Sequence, residues 1–228
     1  TKSYSVQFSA KTYSSTLDEA TASTIPWPES WSEETRLYLK PSRFIESNDE
    51  IFAKAVRDNG DPTSAPIHVA AKVLIRYCLA NIESSGRYAH SENNVTTGID
   101  VKGARYTVKK ASGSAADVVC VCVATLRAAG IPARPIVGIT NVDSVGITSI
   151  PTQYIVWGEY ALPNAGWVPF FPERMRGTVS GLSRTAPWQG LGTLPRLNRR
   201  VPIAFNFDCF DVDRATQNLQ MNFTSSPE

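Results

Sequence analysis

Residues 113–134, GSAADVVCVCVATLRAAGIPAR, limit what this chain can fold into more than any other stretch. Gly113 and Ser114 supply a turn and an N-cap, Val118, Val119, Cys120, Val121, Cys122 and Val123 make an apolar cylinder, and Gly130-Ile131-Pro132 stops the helix. A helix that is apolar all round has no face to offer water, so it belongs at the centre of a core. The remaining elements must be layered around it.

With 228 residues, 42% hydrophobic and 19% charged, the chain has enough material for one domain with extensions or for two small ones. A net charge of +2 does not call for nucleic acid, which is not expected as a partner, and no run of about 18 apolar residues suggests a membrane span. The chain starts at Thr1 with neither an initiator Met nor a signal-peptide core, as a processed product or an excerpt would. Cys78, Cys120, Cys122 and Cys209 lack metal-ligand spacing and read as small buried hydrophobes, a Cys78–Cys209 disulfide being the alternative. No metal and no cofactor are expected.

Taken in order, residues 4–13 alternate like a strand, and Pro26-Trp27-Pro28 opens a linker-like run to Pro41, with Trp27 and Trp31 read as packing residues. Asn48 or Asp49 caps a short helix ended by Asn59-Gly60. Ser64 caps a longer one, with Pro66 in its first turn and a core face of Ile67, Ala70, Ala71, Leu74, Ile75, Cys78, Leu79 and Ile82. His68 falls beside that face and His90 in the polar stretch 83–97; both read as surface or supporting histidines.

Beyond the central stretch, residues 134–140 read as a buried strand, 153–162 and 167–171 as the arms of a hairpin, and 201–208 as a late strand. Between them, residues 174–200 carry Arg174, Arg176, Arg184, Arg196, Arg199 and Arg200 with no acid, and read as a long basic surface loop. Arg199, Arg200 and Trp188 are its candidates for holding an acidic partner, because Arg forks match carboxylate and phosphate; a solvated loop is the plainer reading. Helices, then a central helix, then strands describe an α+β domain with helices packed on an antiparallel sheet.

At this point the motifs carry a resemblance. GSAADVVCVCVATLRAAGIPARPIVGI, then Trp157-Gly158-Glu159, then LPNAGWVPFFP at 162–172, resemble the transglutaminase-like domain of the papain-like superfamily. The resemblance covers about residues 30–175. It implies 1–29 as a strand and linker before the domain, 30–175 as the domain, and 176–228 as a basic loop and strand packed on it. By analogy with many members, it also suggests placement outside the cytoplasm.

That family works through a Cys-His-Asp triad. The Cys sits in the first turn of the central helix, where the dipole and an imidazolium favour thiolate; the His is base and acid, and the Asp orients it. Carried over, Gly-x-Cys-x-Asp falls on Gly113-Ser114-Ala115-Ala116-Asp117, so Ala115 holds the nucleophile position. His-x-Trp-x-Glu puts Ile155 at the His position, and Gly-Trp-Val-Pro-x-Asp-Pro puts Phe171 at the Asp position. A methyl group cannot attack a carbonyl, and without an imidazolium a buried acid would be costly, so apolar replacement is coherent.

The expectation is therefore a catalytically inactive transglutaminase-like pseudoenzyme, a binding or scaffold module. A retained cleft lined by Tyr154, Trp157 and Phe171 would hold a protein, peptide or glycan strand, Trp157 being as readily a core residue. The alternative is a cysteine- or serine-type peptidase, amidase or transglutaminase with a displaced site at His68 or His90. A Cys, Ser or Asp within hydrogen-bond reach of either His, in a cleft, would favour it.

Overall fold

The computed structural model describes residues 11–92, 95–140, 154–175, 184 and 186–207. Its helices are α1 (Glu19–Ala22), α2 (Glu33–Arg36), α3 (Glu50–Asp58), α4 (Ile67–Asn81), α5 (Ala104–Lys110), α6 (Ala115–Ala128) and α7 (Pro172–Met175). Its strands are β1 (Glu83–Ser84), β2 (Ala89–Glu92), β3 (Val95–Ile99), β4 (Ser112–Gly113), β5 (Ala133–Thr140), β6 (Tyr154–Leu162), β7 (Gly166–Phe170) and β8 (Arg200–Ala204). The α+β architecture is as the sequence suggests.

The central helix α6 is buried from Ala116 through Arg127, with α3, α4 and α5 against it on one side and β5 and β6 on another. Its start is a capping box: the Ser114 hydroxyl accepts from Asp117 N at 3.3 Å while Asp117 Oδ2 accepts from Ser114 N at 3.1 Å. The other carboxylate oxygen accepts from Lys102 N at 2.7 Å and Gly103 N at 3.1 Å, which fastens the entry to α5 onto the head of α6. Gly113 is required by close approach: a Cβ there would lie 2.8 Å from both Asp117 Cβ and Thr107 Cγ2. At the other end Arg127, buried, donates from Nε to Ala133 O at 2.7 Å and from Nη1 to Lys40 O at 2.6 Å.

The main sheet runs β7-β6-β5-β8, with every pair antiparallel. Strand alternation sorts its side chains. Val137, Val156, Tyr160, Leu162, Val168 and Phe170 join the core around α6, and Gly158 leaves room for the Phe170 ring, which an added Cβ would meet at 2.1 Å. On the opposite face Ile136, Trp157 and Phe171 gather with Leu194 into a separate apolar cluster.

Several expectations need correction. Ser64 does not cap α4; it ends a 3-10 turn, Pro62–Ser64, and Pro66 stands at the N-cap, in extended conformation, where it makes no side-chain bond to the helix. The polar stretch 83–97 includes strands, since β2 and β3 form an antiparallel hairpin. The linker-like run carries α2, and its tryptophans are tied down as packing residues: Trp27 Nε1 donates to Ala65 O and Trp31 Nε1 to Gly130 O. Of the strand expected at 4–13, residues 1–10 lie outside the described residues, and 11–13 form none. Cys78 is a buried free thiol, and Cys209 lies outside the described residues.

The basic stretch is only partly a surface loop. Trp188, Leu191, Leu194 and Arg200 are buried, whereas Arg184, Arg196 and Arg199 are exposed. The cause is Lys72, a fully buried ammonium on α4: it donates to Ala186 O at 2.7 Å and lies 4.9 Å from the Trp188 ring centre, drawing the stretch onto the core.

The two halves of the cap are not of equal weight. Ser114→Ala should cost about 1 kcal/mol, the usual value of an N-cap hydroxyl. Asp117→Ala should cost about 3 kcal/mol or more, because it strands the Lys102 and Gly103 N–H groups as well. Urea unfolding midpoints measure both, and equal losses would contradict the role given to Asp117.

Candidate functional site

Ala115 is the first residue of α6 and half-buried, at the point where helix N–H groups lack intrahelical acceptors. Its methyl brings no nucleophile to that position. Ser114, its neighbour, is committed: beyond the cap its hydroxyl donates to Asp117 Oδ2 at 2.9 Å, and the residue is buried. Further along, burial pushes the Cys120 thiol well above its ordinary pKa, as expected inside a core. The Cys78 thiol is drawn below its ordinary value by a hydrogen bond with the Cys122 thiol, but it too is buried.

The start of α6 and the end of β7 are bridged through Ser84. Ser84 pairs with Gly113, two residues before Ala115, and its hydroxyl donates to Glu173 Oε1 at 2.8 Å, two residues after Phe171. The start of β6 is tied in as well: Tyr88 OH donates to Tyr154 O at 2.7 Å, and Tyr88 O accepts from Asp100 N in the segment that reaches Asp117.

Ile155 and Phe171 are brought together on one face of the sheet. Phe171 is 3% exposed and stacks on Trp157 with ring centres 5.7 Å apart; Ile155 and Leu197 pack against the same cluster. Above the Phe171 ring stand two guanidinium groups, Arg200 at 4.3 Å and Arg174 at 5.5 Å from its centre. Burial, and then the charge of Arg174, lower the Arg200 pKa to about 10, which leaves it cationic at neutral pH.

The cleft expected between Tyr154, Trp157 and Phe171 is not formed. Tyr154 is on the opposite sheet face from the other two, one residue out of step, and Trp157 is a core residue. Trp188 is closed over Lys72 and is unavailable as a surface ligand-binding ring. Arg199 is exposed, while its neighbour Arg200 turns inward onto Phe171, so the two do not act as one patch.

His68 is fully buried, not at the surface. Its Nδ1 accepts from Tyr160 OH, its Nε2 lies 2.9 Å from Glu19 Oε1, and the same oxygen accepts from Lys72 Nζ. Among the described residues Glu19 and Tyr160, and no Cys, Ser or Asp, are therefore its partners. The signal was present in the sequence: His68 and Lys72 are four apart on α4 and fall on its core side together. His90 pairs with Gly98 in the β2–β3 ladder, and its side chain lies outside the described residues. Among the described residues no group of three His, Cys, Asp or Glu is placed to hold a metal ion, and no helix is long and apolar enough to cross a membrane.

The remaining motif residues form their own network. Arg134 pairs with Glu159 at 2.8 Å, Trp157 Nε1 donates to the same carboxylate at 3.3 Å, and the Arg134 guanidinium sits 3.9 Å from the centre of Trp167. These bonds join β5, β6 and β7 across their outer face.

The family model of the transglutaminase-like superfamily matches residues 53–172, more than half of the chain. The chain belongs to the transglutaminase-like superfamily. Among solved structures it is similar to one described as "a Putative Cysteine Protease from Cytophaga hutchinsonii", with a TM-score of 0.49 and 16% identity over 88% of this chain. This chain covers 61% of that protein's length. A comparison with curated proteins gives no match.

Burial depresses the His68 pKa against the upward pull of Glu19. The unfolded chain then takes up a proton, at about pH 6.5, before the folded one does. The stability due to a neutral His68 is complete above that pH and is lost as the pH falls through the lowered folded value. Melting temperatures between pH 8 and pH 5 should fall more steeply for the natural protein than for His68→Gln; parallel slopes would refute this.

Proposed function

We propose that this chain is a transglutaminase-like pseudoenzyme, which keeps the superfamily scaffold as a binding module and does not perform Cys-His-Asp chemistry. The observation that carries the reading is the state of the three positions together. Ala115 offers a methyl at the head of α6, and Ile155 and Phe171 contribute to a closed apolar cluster with Trp157 and Leu194. Loss of the nucleophile alone would disarm a site and leave its cavity. Filling the base and acid positions with apolar side chains supports a surface that has been rebuilt for packing.

Relocated catalysis finds no support at His68. Its ring is enclosed between Glu19 and Tyr160, and burial holds the Tyr160 phenol well above its ordinary pKa, so that neither group is offered to a substrate. The partners suited to such a module are a protein, a peptide or a glycan strand held where α6 begins and β7 ends.

The reading is tested by a thiol-reactive active-site probe and an amidase assay, applied to the natural protein and to a variant carrying Ala115→Cys, Ile155→His and Phe171→Asp. The natural protein should show no turnover. Turnover in the variant alone would mean the scaffold still supports the chemistry; turnover by the natural protein would overturn the proposal.

A further inference from the structure

The stretch around Phe171 contains an unresolved electrostatic problem. Arg200 is 8% exposed, so most of the side chain has left water, and buried cations in proteins are normally paired. Among the described residues no carboxylate forms an ion pair with Arg200 or Arg174, and no side-chain hydrogen bond ties down either guanidinium. Each instead faces the same Phe171 ring, at 4.3 Å and 5.5 Å. An aromatic face attracts a cation but carries no net charge, so it leaves the repulsion between the two guanidiniums uncompensated. Burial first, and the charge of Arg174 second, depress the Arg200 pKa.

A guanidinium laid on a ring keeps its N–H donors at the edge, pointing away from the ring axis. Two guanidinium groups over one ring, close enough for the charge of Arg174 to act on Arg200, bring several donors and two positive charges into one region, and that is the donor set that oxyanions take. Arg174 is exposed on α7, and through it the site opens to solvent. Arg200 is held by β8, where it pairs with Thr140 of β5, so one of the two forks is mounted on the sheet.

We propose that Arg174 and Arg200, converging over Phe171, form a binding site for a ligand oxyanion of charge near −2, a phosphate monoester or a pair of carboxylates. Charge matching favours a dianion over a single carboxylate, since one negative charge would leave the pair still net positive. The site stands independently of whether the chain turns over a substrate. It also differs from a general basic surface, because Arg199, adjacent in sequence and exposed, takes no part in it.

The test is isothermal titration calorimetry at low ionic strength with inorganic phosphate, succinate and acetate. Phosphate or succinate should bind, and acetate should bind at least about fivefold more weakly. Arg174→Ala, an exposed change that leaves the core intact, should weaken the preferred dianion about tenfold, and Arg200→Lys should weaken it by a similar factor by removing the fork. Arg199→Ala, which removes the same charge one residue away from Arg200, should change binding less than about twofold. Preference for phosphate would point to a phosphorylated ligand and preference for succinate to an acidic one. Equal loss in Arg174→Ala and Arg199→Ala would reduce the effect to diffuse surface charge and overturn the site, as would the absence of any dianion binding by the natural protein.

Discussion

The carboxylate of Asp117 is the contact on which the rest of this structure depends. It closes the capping box with Ser114 at the head of the buried helix and, with its other oxygen, receives the backbone N–H groups of Lys102 and Gly103. One side chain thus sets where α6 begins, satisfies helix-end donors that would otherwise be buried unpaired, and anchors the segment leading into α5. From that fixed start follows the placement of Ala115, and the polarity of the helix brings its far end to Arg127, which in turn binds Ala133 O at the entry to β5.

The sheet divides the molecule's tasks between its faces. Toward α6 it presents aliphatic and aromatic side chains that complete the main core. The outer face carries the motif residues: Arg134, Trp157, Glu159 and Trp167 bond across three strands, and Phe171 stacks beside them under Arg174 and Arg200. On the proposed reading these residues keep the superfamily pattern where the triad positions do not, and there is a physical reason. A cross-strand ion pair stacked on an indole contributes to the fold whatever chemistry takes place nearby, whereas a catalytic Cys, His and Asp stabilise little once their reaction is gone.

How far this could be read from sequence depended on whether the determining contacts were local. The helix α6 announced itself because its cap, its apolar cylinder and its Gly130 stop are written within one stretch, and β5, β6 and β7 because alternation and the Pro163-Asn164-Ala165-Gly166 turn are local too. The burial of Trp188 and Arg200 was not legible, since it depends on Lys72 and Phe171, more than 100 and nearly 30 positions away in the chain. The core side of His68 was legible from its spacing to Lys72 on α4, but its partners were not, since Glu19 and Tyr160 are distant in the chain, the latter by 92 positions. The β2–β3 hairpin was hidden by its polar composition, which carries no apolar period-two signal. Assigning Ala115, Ile155 and Phe171 to the triad positions rests on motif spacing, which is local, whereas the apolar cluster around Phe171 rests on contacts that are not.

The proposed function requires that the head of α6 present residue 115 where the superfamily's nucleophile would stand. The most direct measurement is the pH dependence of iodoacetamide alkylation in an Ala115→Cys variant, set against the natural protein. With Cys209 replaced by Ser in both proteins, a thiol in the first turn of a capped helix should alkylate readily and titrate below the ordinary value of about 8.5, while Cys78, Cys120 and Cys122 stay silent in the core. Alkylation of the variant no faster than that of the natural protein would mean that position 115 is not presented at all, and would contradict the account.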